Sequence, residues 1–282
     1  MKFKLYRQFG ALNSQPIFDA FERGIKHLGH ETVTTNEDVS VIWSVLWHGR
    51  MKENRNVYQL CKKIQRPIII IEVGNLRRGE SWRISVNHIN GQGYFGNELN
   101  LDPLRTKKIG IPLHNPRTSR SETILLACQH EHSLQWEGMP RMVEWANKTI
   151  KEIRNYSQRP IVVRPHPRSV FSLSIPGISL ELPKKIPNTY DNFNIDYNYH
   201  CVINYNSGPA VQAAIHGTPV ICDSSSLAYP VSSELSQIEN IVLPNREEWF
   251  SRLCHTEWFV DEIAQGIPLS RLLPKIESDI NH

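Results

Sequence analysis

Two segments of the chain combine residue types that bind anions. The first reads RPIVVRPHPR over residues 159–168, and the second reads HCVINYNSGPAVQAAIHGTPVICD over residues 200–223. Arg164 follows a short apolar run, and its guanidinium presents a planar set of N–H donors that suits a phosphate. The Asn206-Ser207-Gly208 turn precedes a predicted helix, where backbone N–H groups and the helix dipole favour a negative charge. Together the two segments predict a site for a diphosphate.

Secondary-structure patterns place both segments at the ends of strands. Residues 160–163 and 201–204 are short apolar runs that are typical of buried strands. Pro209 suits the first turn of a helix over residues 210–216, and Ser207 or Gly208 suits its N-cap. Because α/β sheets bind ligands at the carboxyl ends of their strands, we expect two neighbouring strand tips to hold one diphosphate.

The first half of the chain alternates strand and helix patterns. This order predicts a Rossmann-like domain with a parallel sheet. Residues 82–96 are predicted to form a loop or short strands, because glycine, asparagine and aromatic residues interrupt the pattern. The predicted strands cover residues 2–9, 30–33, 39–46, 67–73 and a short piece near Ile109, and the predicted helices cover residues 16–29 and 56–64.

The second half repeats the alternation. A polar, proline-containing segment at residues 115–121 is the predicted linker. We therefore predict domains at residues 1–118 and 119–255, with closing helices at 256–282 that pack back on the first domain. The predicted strands of this half cover residues 123–127, 160–163, 178–182, 201–204, 218–222 and 240–243, and the helices cover 140–156, 210–216, 246–254 and 257–265.

The overall composition is that of a globular protein. The chain has 282 residues, of which 40% are hydrophobic and 21% charged, and this length suits two α/β domains. No apolar run is long enough to span a membrane, and the first residues lack the apolar core of a signal peptide. The five cysteines are scattered without a CxxC pair. We expect free, buried thiols, no membrane partner and a cytoplasmic location.

Positive charge is concentrated in the first part of the chain. Residues 1–120 hold 19 Lys and Arg against 10 Asp and Glu, whereas the remaining residues hold 13 against 18. A balance of +9 suits an acidic partner such as nucleic acid, and a solvated surface explains it equally well. The predicted contacts to an acceptor or to DNA are Arg50, Arg77, Arg78 and Arg83.

The order of the motifs resembles one group of glycosyltransferases. These motifs are Gln129 at a strand end, the Arg164-Pro165-His166-Pro167 loop, and the Asn206-Ser207-Gly208 turn with Gly217-Thr218-Pro219-Val220 after its helix. They are similar to those of capsule-polysaccharide-type transferases and of related phage-encoded glycosyltransferases. The resemblance covers residues 123–265 and implies the GT-B architecture, an α/β fold with two Rossmann-like domains facing across a cleft. The family often has an aspartate shortly after the glutamine, whereas this chain continues His130-Glu131-His132.

The resemblance implies a nucleotide-sugar donor, such as a UDP-sugar, held by the second domain without a cofactor. Arg164, His166 and the backbone N–H groups of the turn would stabilise the leaving diphosphate. Because no DxD pattern stands out, we expect no metal ion. The predicted donor-binding residues are Gln129, His132, Arg164, His166, Arg168, Asn206, Ser207, Gly208 and Glu234, the last of them on the ribose hydroxyls.

The histidines allow other interpretations. His166 is also explained as a structural histidine that bonds to a backbone carbonyl. His130, Glu131 and His132 resemble a metal-binding cluster in the sequence alone. A structural or donor-contacting role is the prediction here, because no Cys or Asp motif accompanies them.

An inverting transfer also needs a base that takes the proton from the acceptor hydroxyl. Glu72 fits best, because it stands at the end of the apolar run PIIIIEV. Capping of a helix, or an ion pair with Arg77 or Arg78, explains Glu72 equally well. The alternative bases are His48 and Asp19.

These features predict a metal-independent glycosyltransferase that moves a hexosyl or pentosyl group to an acceptor hydroxyl. The charge of residues 1–120 and the likeness to phage proteins favour a 5-hydroxymethylated pyrimidine, such as 5-hydroxymethylcytosine, in phage DNA. Duplex DNA would then be a partner, and the host cytoplasm the location. A surface polysaccharide or glycolipid is the alternative acceptor. A non-catalytic nucleotide- or DNA-binding module is the alternative of a different class.

Overall fold

The structure, a computed structural model, describes residues 1–173, 175–189 and 192–281. The chain forms two compact units: unit 1 comprises Met1–Gly110 and the described residues from Ser251 onward, and unit 2 comprises Ile111–Phe250. Each unit contains a β-sheet rich in parallel strands together with helices, which confirms the predicted α/β class. The sequence-based limits at residues 118 and 255 stay a prediction.

Unit 1 is built on a six-stranded mixed sheet. Its strand order is β13-β5-β4-β3-β1-β2, in which the first four strands in the chain run parallel and β5 is antiparallel to both of its neighbours. The prediction of a parallel sheet is therefore wrong for β5, which is antiparallel to β4 and β13. The strands are β1 (Lys2–Leu5), β2 (Glu31–Thr32), β3 (Val39–Trp43), β4 (Ile68–Val73), β5 (Ser81–Val86) and β13 (Glu257–Phe259).

The helices of unit 1 follow from apolar spacing. Helix α1 (Gln15–His27) begins with a proline in its first turn and buries one apolar face, as the pattern predicts. Helix α2 (Asn54–Lys63) precedes β4, and α7 (Val260–Ala264) packs against α1. The buried face of α1 consists of Ile17, Phe18, Ala20, Phe21, Gly24 and Ile25.

Several predicted elements are wrong in unit 1. Residues near Ile109 form the short helix α3 (Arg105–Ile109) instead of a strand, and residues 257–259 form β13 before α7 begins. Residues 81–86 form one continuous strand where a loop or short strands were predicted, and helix α8 (Ile267–Ile280) lies within the predicted closing helices at residues 256–282, although its own bounds were not predicted. Strand β13 is an edge strand that pairs with β5, and the buried Glu257 carboxylate accepts hydrogen bonds from the backbone of Leu76 and the hydroxyl of Ser81.

Unit 2 contains a five-stranded, wholly parallel sheet in the order β12-β11-β6-β7-β8. The predicted strand at residues 240–243 is wrong, because 3-10 turns over Leu235–Asn240 lead into an irregular segment. The elements are β6 (Ile124–Ala127), α4 (Met142–Arg154), β7 (Ile161–Arg164), β8 (Ile178–Leu180), a small hairpin of β9 (Lys184–Lys185) and β10 (Phe193–Asn194), β11 (Cys201–Asn204), α5 (Gly208–Ile215), β12 (Val220–Cys222) and α6 (Glu247–Cys254), which passes the unit boundary.

One hydrophobic core of unit 2 lies between its sheet and α4. Met142, Ala146, Ile150 and Ile153 of α4 contact the apolar residues of the sheet. All five cysteines of the chain are free thiols, and four of them are buried. Burial raises the pKa of Cys128 and Cys201 to about 12. Among residues 1–173, 175–189 and 192–281, no helix combines the length and apolarity that crossing a bilayer requires.

Candidate functional site

The carboxyl edge of the unit 2 sheet brings three predicted segments together. Arg164 of β7 and Asn204 of β11 both pair with Ala127 of β6, so the three strands end at the same level. The segments that leave them carry His166, Asn206 and Gln129. The prediction that the β7 and β11 tips are neighbours is wrong, because β6 lies between them. Because β6 is the central strand of the three, Gln129 lies between the other two strand ends.

Gln129 and Asn206 are buried and joined by a hydrogen bond. Oε1 of Gln129 accepts a 3.3 Å hydrogen bond from the backbone N–H of Asn206. Only 3% of Gln129 and 6% of Asn206 is exposed. Nε2 of Gln129 and Oδ1 of Asn206 nevertheless have no partner in the described part of the chain. Such buried unpaired atoms are rare in folded proteins, and a bound water, ion or ligand can account for them.

Arg164 is 4% exposed and is held by two acceptors. Its Nη2 donates to Oε1 of Glu181 and to the hydroxyl of Tyr199, both at 2.9 Å, and Tyr199 donates to Oε2 of Glu181 at 2.8 Å. Burial, followed by the hydrogen bond to Glu181, raises the pKa of Tyr199 to about 12. Nε and Nη1 of Arg164 are without partners among the residues described. Arg164 therefore keeps N–H donors for an anion while one side of its guanidinium is fixed.

Three histidine rings lie beside these groups. The His130 ring centroid is 5.1 Å from that of His166 and 5.5 Å from that of His132. Nδ1 of His166 accepts from the backbone N–H of Arg168, and Nδ1 of His130 accepts from that of His132, each at 3.1 Å. The neutral rings of His130 and His166 therefore carry their proton on Nε2, where it is a hydrogen-bond donor. No group of three His, Cys, Asp or Glu residues within the described ranges is arranged to hold a metal ion.

The start of α5 differs from its predicted use. The backbone N–H of Ser207 donates to Oδ1 of Asn204 at 2.8 Å, so this amide is already bonded within the protein. The Ser207 side chain does not cap the helix, and its hydroxyl accepts from Nδ2 of Asn204 at 3.0 Å. Asn204 also donates to the carbonyl of Ala127, which ties the turn to β6. Gly208 is the first residue of α5 and is partly exposed.

The segment that follows β12 contributes two side chains that sequence reasoning missed. Ser225 accepts from Nδ2 of Asn206 at 2.8 Å and donates to Oδ1 of Asp223 at 2.6 Å. No local motif marks these residues, because their contact with Asn206 depends on the adjacency of β11 and β12. Glu234, the predicted ribose ligand, is exposed and precedes the 3-10 turns of Leu235–Asn240.

Unit 1 has a second polar group at the carboxyl edge of its parallel strands. Oε2 of Glu72 accepts a 2.6 Å hydrogen bond from the hydroxyl of Ser44, which follows β3. Ser44 has a left-handed backbone (φ 63), a conformation that costs a non-glycine residue about 1 kcal/mol or more. Oε1 of Glu72 accepts from the backbone N–H of Val73. Ser44 was not predicted, and its hydrogen bond to Glu72 makes it a member of this polar group.

The other predicted residues of unit 1 are distributed around this group. Asp19 is exposed on α1 and pairs with Arg7, and His48 precedes a 3-10 turn that contains the exposed Arg50. Arg77 pairs with Glu80 rather than with Glu72, and Arg78 follows it at the same turn. The structure buries Arg83, whose guanidinium donates to the carbonyls of Val73 and Ile89, so we remove it from the acceptor-binding set.

No known family model matches the chain, and no curated protein matches it. Among solved structures, it is similar to KpsC from Thermosulfurimonas dismutans, a beta Kdo 2,4 transferase, with 14% identity, a TM-score of 0.51 and 89% of each chain covered. KpsC from the same organism, as a beta Kdo 2,7 transferase, matches with 14% identity and a TM-score of 0.49 over 96% of this chain and 99% of that chain. At this identity the first likeness establishes a shared fold alone.

Proposed function

We propose that the chain is a glycosyltransferase that moves a sugar from a nucleotide-activated donor to an acceptor hydroxyl. One observation carries this proposal: Gln129, Arg164 and Asn206 are buried at the ends of three consecutive parallel strands, and each keeps polar atoms that no described residue pairs. Leaving such atoms unpaired costs about 1–3 kcal/mol each, so this edge favours a ligand with several polar groups. A nucleotide sugar has the required mixture of phosphates and hydroxyls.

The leaving diphosphate would lie at the Arg164 end of this edge. Arg164 supplies N–H donors that no described residue pairs, and His166 follows it in the loop after β7. Donors that are already oriented stabilise the charge that develops on a leaving group without further reorganisation. Glu181 balances the charge of Arg164 before the donor binds, since the two form an ion pair.

Glu72 is the proposed base. Its carboxylate is half-buried at a strand end and oriented by Ser44, and it is not paired with Arg77. A positioned carboxylate of this kind accelerates proton removal from a hydroxyl by about 10²–10⁴-fold. The proposal includes the GT-B arrangement that the resemblance implies, with two Rossmann-like domains facing across a cleft.

A hydroxyl of a surface polysaccharide or glycolipid is the first acceptor class, because the motif order resembles capsule-polysaccharide-type transferases and the neighbour with the TM-score of 0.51 is a beta Kdo 2,4 transferase. Hydroxymethylated DNA is the second class. Unit 1 as a whole carries 20 Lys and Arg against 15 Asp and Glu, so its balance is +5, below the +9 of residues 1–120. Filter binding of hydroxymethylated duplex DNA at low salt tests this alternative, since absence of binding there removes it.

The experiment that tests the proposal combines donor binding with turnover. A panel of nucleotide sugars is screened by thermal shift, where a donor at 100 times its Kd adds about 2.7 kcal/mol to the native state. The best donor is then incubated with oligosaccharide and DNA acceptors, using the wild type and Glu72→Gln. We expect both proteins to bind the donor and only the wild type to transfer sugar at full rate. Donor binding without turnover by the wild type would instead support a non-catalytic module.

A further inference from the structure

The amide of Asn206 is held in one orientation by a chain of hydrogen bonds. The Ser225 hydroxyl has a single hydrogen, which it donates to Oδ1 of Asp223 at 2.6 Å. The same carboxylate oxygen accepts from the backbone N–H of Ser225 at 2.9 Å, which fixes its position. Ser225 is thus an acceptor towards Asn206, and the group that it faces at 2.8 Å is Nδ2. Oδ1 of Asn206 is therefore the atom that remains for a ligand.

An amide oxygen accepts hydrogen bonds and cannot donate them. The oxygens of a diphosphate diester carry no hydrogen at neutral pH, so contact with Oδ1 of Asn206 would bring two acceptors together. Asn206 is 6% exposed, and its unpaired oxygen has little access to bulk water. A phosphate is consequently the wrong chemistry for this atom, although Asn206 belongs to the turn that was predicted to bind phosphate.

The neighbouring amide has the opposite character. Gln129 uses Oε1 to accept from the backbone of Asn206, which leaves Nε2 as a donor without a described partner. Gln129 and Asn206 thus provide one donor and one acceptor on adjacent strand exits. A hydroxyl group can accept from the first and donate to the second, because it does both.

We infer that Gln129 and Asn206 bind a hydroxyl of the donor substrate, while its phosphates lie towards Arg164. This inference rests on the proposed function, since it states which end of the bound nucleotide sugar lies at which strand of the same edge. The order of β11, β6 and β7 then places the hydroxyl-bearing part over β11 and β6 and the anionic part over β7. The hydroxyl belongs to the ribose or to the transferred sugar, and both present the same chemistry to the two amides.

Asn206→Leu tests the inference, because it keeps the size of the side chain and removes the acceptor. The probes are pyrophosphate, the ribonucleotides UDP, CMP, GDP and ADP, and the nucleotide sugar of the tightest ribonucleotide. Affinities are measured by calorimetry on the full chain. We expect Asn206→Leu to bind the nucleotide sugar about tenfold more weakly and pyrophosphate within about twofold of the wild type. Equal weakening of both probes would overturn the inference, as would unchanged affinity for both.

Two comparisons complete the test. If Asn206→Leu weakens the ribonucleotide and the nucleotide sugar alike, the hydroxyl is on the ribose; weakening of the nucleotide sugar alone assigns it to the sugar. Ser225→Ala frees the amide to rotate, so it should weaken the same probes less than Asn206→Leu does and leave pyrophosphate unchanged. Asn155→Leu, at an exposed site after helix α4 of unit 2, is the control for general effects on the unit. Failure of the wild type to bind any of these probes rejects the proposed function itself, and the inference with it.

Discussion

The hydroxyl of Ser44 donates a 2.6 Å hydrogen bond to Oε2 of Glu72, across the ends of β3 and β4. The same hydroxyl accepts from the backbone N–H of Leu46, which fixes the direction in which it donates. Ser44 maintains this contact from a left-handed backbone conformation. The arrangement thus combines local strain with a hydrogen bond to the carboxylate that we propose as the base.

Substitutions at Ser44 should separate these two contributions. Ser44→Ala and Ser44→Gly both remove the hydrogen bond, so sugar transfer should slow about tenfold in each while donor affinity stays unchanged. Glycine also relieves the positive φ, so Ser44→Gly should be about 1 kcal/mol more stable than Ser44→Ala in urea unfolding. Transfer at the wild-type rate in both variants would show that Ser44 does not position Glu72.

The stability of unit 1 should depend on the protonation of His88. Burial, with a smaller contribution from the nearby Lys62 charge, lowers the pKa of His88 from 6.5 to about 4. Its Nδ1 accepts from the backbone N–H of Ile89, which requires a neutral ring. Between about pH 6.5 and pH 4 the unfolded chain takes up a proton at His88 that the folded chain does not. The free energy of unfolding therefore decreases as the pH is lowered. At pH 5 the loss should be about 2 kcal/mol relative to pH 7.

His88→Asn supplies the control for this pH dependence. Asparagine has no titrating group and offers an oxygen to the same backbone N–H, so its loss between pH 7 and pH 5 should be about 2 kcal/mol smaller. Urea unfolding of both proteins at the two pH values gives the comparison. An identical loss in the wild type and the variant would contradict the assignment to His88.

A side chain at Gly217 should destabilise the protein strongly. Gly217 has φ 82, and a Cβ there would lie 2.2 Å from the carbonyl oxygen of Asn115. Gly138 has a similar φ of 79 but open space around it, so Gly138→Ala measures the backbone strain alone. We expect about 1 kcal/mol of destabilisation for Gly138→Ala and about 3 kcal/mol for Gly217→Ala. Equal urea midpoints for the two variants would mean that the segment at Asn115 moves away without loss.

Removal of divalent ions should leave sugar transfer unchanged. In the proposed mechanism, the N–H donors of Arg164 stabilise the charge of the leaving diphosphate without a metal ion. Transfer rates are therefore compared before and after treatment with EDTA, and again with added Mg²⁺. A rate that disappears with EDTA and returns with Mg²⁺ would assign part of that role to a metal ion.

Local patterns predicted the elements whose residues contact nearby parts of the chain. The apolar spacing of α1 and the continuous apolar run of β4 are visible within single segments. Strand β5 was predicted only as a loop or short strands, because it pairs with β13, more than 170 residues later, and Glu257 reaches back to Leu76 over a separation of 181. A polar strand that is covered by a distant segment carries no periodic signal of its own.

The candidate site likewise combines residues that local patterns predicted with partners from distant segments. Arg164 and Asn206 were predicted from their places after two apolar runs, and Gln129 was predicted from the motif order of the glycosyltransferases that the chain resembles. Their fixed orientations come from partners that the sequence does not mark: Tyr199 is 35 residues from Arg164, and Ser225 is 19 residues from Asn206. The sequence therefore indicated which groups meet at the edge, but not which of their atoms remain for a ligand.

The position of β13 has a consequence for the newly made protein. On the ribosome, β5 emerges long before residues 257–259, so its outer backbone groups wait unpaired while all of the contiguous unit 2 is translated. Exposed strand edges of this kind are where nascent chains associate wrongly. Unit 2 can fold as soon as its own residues have emerged, whereas the sheet of unit 1 is complete only after residues 257–259 have left the ribosome.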